Sequence, residues 1–90
     1  MAQVGFNTLV VTLASAAAVH LGDLADAATG ERRAPNLEGA AQMIDLLGLL
    51  QEKTRGNLTA EEAAFLEQVL YELRLRFVQA RDALASRGER

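Results

Sequence analysis

From Ala63 to Leu84 the apolar residues Ala63, Leu66, Leu70, Leu73, Phe77, Ala80 and Leu84 recur at alternating intervals of three and four. That period is helical, and it places all seven on one face of a single α-helix. The likeliest place for a strand is the start of the first segment, with β-branched Val10, Val11 and Val19, but no second segment reads as a strand to pair with it, so helix is kept there too. The spacing predicts a third helix over about 60–86, carrying a seam of about three heptads. Glu61, Glu62, Glu67 and Glu72 occupy its first half, and Arg74, Arg76, Arg81 and Arg87 its second. Each set stands at the end of the helix dipole that favours it.

Upstream, Arg55-Gly56-Asn57-Leu58-Thr59 reads as a stop followed by a start. Gly56 suits a left-handed cap, with Lys53 and Arg55 beside the negative helix end. Thr59 and Glu62 form a capping-box pair, with Leu58 and Ala63 at the flanking staple positions. The expectation is a tight αα-hairpin between helices two and three. Helix two opens at Asn36, an N-cap after Pro35, and spans about 36–54. Leu37, Ala40, Ala41, Ile44, Leu47 and Leu50 lie on one face, and Met43, Leu46 and Leu49 widen it beyond an ordinary amphipathic stripe.

The first helix is expected over about 7–21, with Gly22 at its C-terminal cap. Its stripe is Phe6, Leu9, Val10, Leu13, Ala17 and Leu21, and its alanines permit close approach of a second helix. Residues 22–35 form a loop long for a compact domain. The chain therefore reads as one all-α domain over 1–90, a three-helix arrangement expected to assemble into an oligomeric bundle.

Composition narrows the function classes. Half of the residues are hydrophobic, yet the aromatics are only Phe6, Phe65, Tyr71 and Phe77, so the core is aliphatic. There is no Cys for disulfides or thiolate metal sites, which is compatible with a reducing cytoplasm. A net charge of −3 argues against a protein devoted to nucleic acid. Met1 to Gly22 lacks charge, but no positive n-region precedes it, and Asn7, Thr8, Thr12, Ser15 and His20 interrupt the run. Neither a signal peptide nor membrane insertion is expected.

No catalytic, cofactor or metal site is expected. His20, the single histidine, is read as a helix-end dipole partner. Asp23, Asp26 and Glu31 match no calcium loop. Lys53, Arg55 and the start of helix three are explained by capping without an anion. The Arg-rich end of helix three carries the alternative reading, a nucleic-acid contact through Arg74, Arg76 and Arg81, although no exposed aromatic interleaves them to stack a base.

Helix three is longer than its partners, so its seam outruns them unless helix one folds back over it. This surplus predicts self-association, as a dimer or higher, through Leu66, Leu70, Leu73, Phe77 and Leu84, with Leu46 and Leu49 as a second patch. Antiparallel pairing sets the Glu half of one copy on the Arg half of the other. The function expected is a non-enzymatic homo-oligomeric interaction or adaptor module that docks another protein.

Leu21-Gly22, Ile44-Asp45-Leu46-Leu47, Glu52-Lys53-Thr54-Arg55-Gly56-Asn57-Leu58-Thr59, Glu62 and Leu70-Tyr71-Glu72-Leu73-Arg74 resemble a family of small bacterial proteins, the Domain of Unknown Function 1844 family. The likeness runs from about Phe6 to Val78, and its most specific part is the KT-x-GNLT run. Members often carry an Asp-Pro pair in the first loop, where this chain has Asp26-Ala27. The resemblance implies a bacterial cytoplasmic protein and brings no catalytic residues.

Overall fold

The computed structural model describes residues 5–26, 28–32 and 34–88, with side chains described as far as 86. Among these residues there are three helices and no strand: α1 (Phe6–Leu21), α2 (Leu37–Lys53) and α3 (Ala60–Gly88). Arg87, counted above with the basic end, lies outside the side chains described.

Local chemistry sets the helix ends. Gly22 closes α1 with φ 84°, in the left-handed region. The Gly22 N–H donates to the Val19 carbonyl (3.0 Å) and the Asp23 N–H to the Ala18 carbonyl (2.9 Å), the paired bonds of a Schellman cap. Asn36 opens α2: its Oδ1 accepts from the Gly39 N–H at 3.0 Å. Its own N–H donates to the His20 carbonyl at 2.6 Å, tying the start of α2 to the last turn of α1. Between α2 and α3, Gly56 takes φ 86°. The capping box then forms in both directions, Thr59 N–H to Glu62 Oε1 (2.9 Å) and Glu62 N–H to Thr59 Oγ1 (3.1 Å). The tight αα-hairpin expected between the second and third helices is present.

The three helices run up, down and up, and each packs on the other two. Their shared core is Val10, Ala17 and Leu21 of α1, Ala40, Ile44 and Leu47 of α2, and Leu66, Leu70, Leu73 and Ala80 of α3. Phe6, Leu13, Leu37, Leu50, Phe65 and Phe77 pack around it, half-buried. Among the described residues no polar or charged side chain is buried. The backbone is thin, its Cα trace extending 48 × 28 × 16 Å. The long dimension is that of α3, whose 29 residues span about 43 Å. With 16 and 17 residues, α1 and α2 cover only part of that length.

This packing corrects one expectation. The sequence places Leu66, Leu70 and Leu73 at a contact between copies, yet they are 0%, 1% and 9% exposed inside one chain. The reason is that α1 returns against α3, so the seam is filled within the chain as far as Ala80. Phe77 and Leu84 are half-buried, and Ala63, where the seam begins, is exposed.

Candidate functional site

A bundle this thin leaves each helix with a second face. On α1 that face bears no charge, since residues 5–22 contain no Asp, Glu, Lys or Arg. Leu9 is 40% and Val11 48% exposed. Across from Leu9 and Leu13, α2 presents Leu46, Leu49 and Leu50, and with Lys53 these residues line an apolar groove of about 330 Å³. Leu46 and Leu49, named from the sequence as a second patch, remain exposed. They lie outside the core because Ile44 and Leu47 already fill the space facing α1 and α3. Lys53 can lie its aliphatic stem along the rim and keep its ammonium in water.

On α3 the uncovered face is a different one from the seam. Tyr71, Leu75 and Val78 stand at i, i+4 and i+7, on one stripe roughly opposite Leu66, Leu70 and Leu73. Their exposure is 67%, 47% and 39%. Sequence reasoning missed them because the inner heptad accounted for the helix so completely. The signal was there as a second series of apolar residues, offset from the first by half a turn. Beside Val78, a groove of about 220 Å³ is lined by Ala41, Ile44, Asp45, Arg74 and Phe77. A wider one, about 600 Å³, adjoins Tyr71 and includes Ala64, Glu67, Gln68 and Arg74.

The three arginines singled out do not form one surface. Arg76 turns toward the end of α1 and grips Asp23 with two bonds, Nε to Oδ2 at 2.8 Å and Nη2 to Oδ1 at 2.6 Å. Its Nη1 donates to Gln79 Oε1 at 3.0 Å. Hydrogen bonding to Asp23 raises its pKa further above the ordinary guanidinium value, aided by the carboxylate charge and opposed by desolvation. Because the folded-state value is the higher one, deprotonation of Arg76 removes its contribution only at pH beyond the guanidinium range. Arg76 thus fastens the loop after α1, a role that its place in the basic series does not show. Arg74 and Arg81 stay exposed on the face toward α2, and Arg81 lies 3.5 Å from Asp82.

His20 lies in the last turn of α1, where a dipole partner belongs. Its ring is pressed against α2, so close that a Cβ added to Gly39 would fall 2.7 Å from Nδ1. That nitrogen is buried and without a hydrogen-bond partner among the described residues. A groove of about 500 Å³ holds Ser15, Ala16, Val19, His20, Leu24, Ala25 and Asp26. The Asp26 Oδ1 accepts from the Ala28 N–H at 2.8 Å, a local loop turn. Asp23 is bound to Arg76, so it is not gathered with Asp26 and Glu31. Among the described residues no group of three or more His, Cys, Asp and Glu is placed to hold a metal ion. No helix of the described residues is long and apolar enough to cross a membrane.

Neither a curated protein nor a solved structure matches the chain. A family model does, over residues 3–79, which takes in α1, α2, the hairpin and most of α3 including Tyr71, Leu75 and Val78. That span covers well over half of the sequence, and the chain belongs to the family described as a domain of unknown function (DUF1844).

Proposed function

We propose that this chain is a non-catalytic helical interaction module, which assembles with copies of itself and engages another protein through the α1–α2 surface. The observation that carries the reading is the groove of Leu9, Leu13, Leu46, Leu49 and Leu50, aliphatic along its floor and bordered by the uncharged face of α1. A solvated helix surface ordinarily carries charge, and contiguous exposed apolar side chains mark interaction sites. A groove between two helices suits the apolar face of a third, read by anchors at i, i+3 or i+4, and i+7. The setting we assign, a bacterial cytoplasm, rests on the family resemblance.

The test compares Leu49→Glu with Gln42→Glu, both on exposed positions of α2. Each variant is expected to keep wild-type helicity. Affinity capture from a bacterial lysate is expected to lose a protein with Leu49→Glu and to retain it with Gln42→Glu. The same proteins on both variants would count against the groove. On the nucleic-acid alternative, Arg74 and Arg81 are the exposed arginines that share one side of α3. That alternative requires salt-dependent binding of generic RNA or DNA that falls when both are changed to Ala.

A further inference from the structure

We infer that the partner across the outer face of α3 is a second copy of this chain, paired antiparallel through Tyr71, Leu75 and Val78. This rests on the reading above that the module self-associates, and it moves the contact from the buried seam to the opposite side of the helix.

The charges flanking the stripe point to a copy. Glu67, Arg74 and Arg81 follow one another at heptad spacing along the side of the stripe facing α2. Glu67 and Arg81 are equally far from Arg74, in opposite directions. An antiparallel pair with its two-fold axis beside Arg74 and Leu75 therefore sets Glu67 of each copy against Arg81 of the other, twice over. The same register seats Leu75 between Tyr71 and Val78 of the second copy. A parallel pair brings Glu67 against Glu72 instead, which is repulsive. The like pair at the axis, Arg74 with its own counterpart, is tempered by Asp45, which lines the groove beside it. Arg81 contacts its neighbour Asp82 at 3.5 Å with both side chains mostly exposed, so that contact does not hold it away from a partner. The α1–α2 groove lacks such a code: its one charged lining residue is Lys53.

The stripe also supplies its own reporter. Tyr71 is the only tyrosine and the chain has no tryptophan, so emission excited selectively in the phenol band arises from this face alone.

Sedimentation equilibrium of the full chain tests the pairing. The wild type is expected to be a dimer at tens of micromolar, with the intensity and anisotropy of Tyr71 emission changing as dilution dissociates it. Leu75→Glu and, separately, Val78→Glu are expected to be helical monomers. Glu67→Arg or Arg81→Glu alone is expected to weaken association about tenfold, as two attractive pairs become repulsive. Combining the two is expected to restore it to within about threefold. A wild type that is monomeric at millimolar concentration would overturn the proposal, as would a dimer indifferent to Leu75→Glu and Val78→Glu. A double variant no tighter than the single ones would overturn the antiparallel register. Dissociation by Leu49→Glu rather than Leu75→Glu would place the copy on the α1–α2 groove and refute this surface. Loss of capture by Leu49→Glu with the dimer intact leaves both readings standing.

Discussion

Asn36 serves two segments at once: its side chain caps α2 and its N–H reaches the last carbonyl turn of α1. A few residues on, Gly39 lets the His20 ring lie against the α2 backbone. An added methyl would meet Nδ1 at 2.7 Å and Cε1 at 2.9 Å. Gly39→Ala therefore sets a helix-propensity gain of about 1 kcal/mol against a steric cost of about 1–3 kcal/mol. Urea unfolding is expected to show net destabilisation in the wild type. In a His20→Ala background only Asn36 Nδ2, at 3.0 Å, remains close, so the same change is expected to cost less than in the wild type, and an equal cost there would refute the His20 contact. Arg76 works similarly over a longer reach, bonding Asp23 across 53 positions of sequence. The pair is about two-fifths exposed, so Arg76→Ala is expected to cost only about 0.5–1 kcal/mol. Its clearer signature is faster proteolysis within 23–35 at unchanged helicity. Neither contact was legible in the sequence, because nothing local links His20 to Gly39 or Asp23 to Arg76.

At the scale of elements, the chain announces itself well. Three helices and the turn between the second and third follow from periodicity and from Gly22, Asn36, Gly56, Thr59 and Glu62. Each of these acts within a few residues of itself, which is why they are readable. Thr59→Ala removes the acceptor for the Glu62 N–H. It is expected to cost about 1 kcal/mol, a fall in Tm of about 4–8 °C for a domain of this size. Leu70 is fully buried where the three helices meet. Leu70→Ala is expected to cost about 3 kcal/mol by calorimetry or denaturant unfolding, a large share of the stability of a small domain. A cost below about 1 kcal/mol would place this seam at a surface after all. The error in reading α3 was of partner, not of periodicity: the 3,4 series is a packing face, but α1 and α2 are what it packs on.

For the whole molecule, thinness is the governing fact. Three helices whose Cα atoms span only 16 Å in the thin direction cannot each be covered on both sides, and one of them is 29 residues long. Two separate apolar surfaces remain, one on α1–α2 and one on the back of α3. Two such surfaces let a self-pairing contact and a contact with a different protein coexist without competition. A consequence is that Leu49→Glu combined with Leu75→Glu should lose both properties additively, since the sites share no residue. Native-state hydrogen exchange should also fall off toward the C-terminal end of α3, where α1 and α2 no longer cover it. Uniform protection along α3 in the monomer would contradict that picture.

Helix number, helix type, the caps and the hairpin were determined by the sequence alone, since each depends on residues within one or two turns of each other. Which apolar face is inside and which is left to a partner was decided only by the tertiary structure. Burial is a property of the whole packing: Leu70 and Leu75 are the same residue type on the same helix. What separates them is that α1 and α2 reach one and not the other.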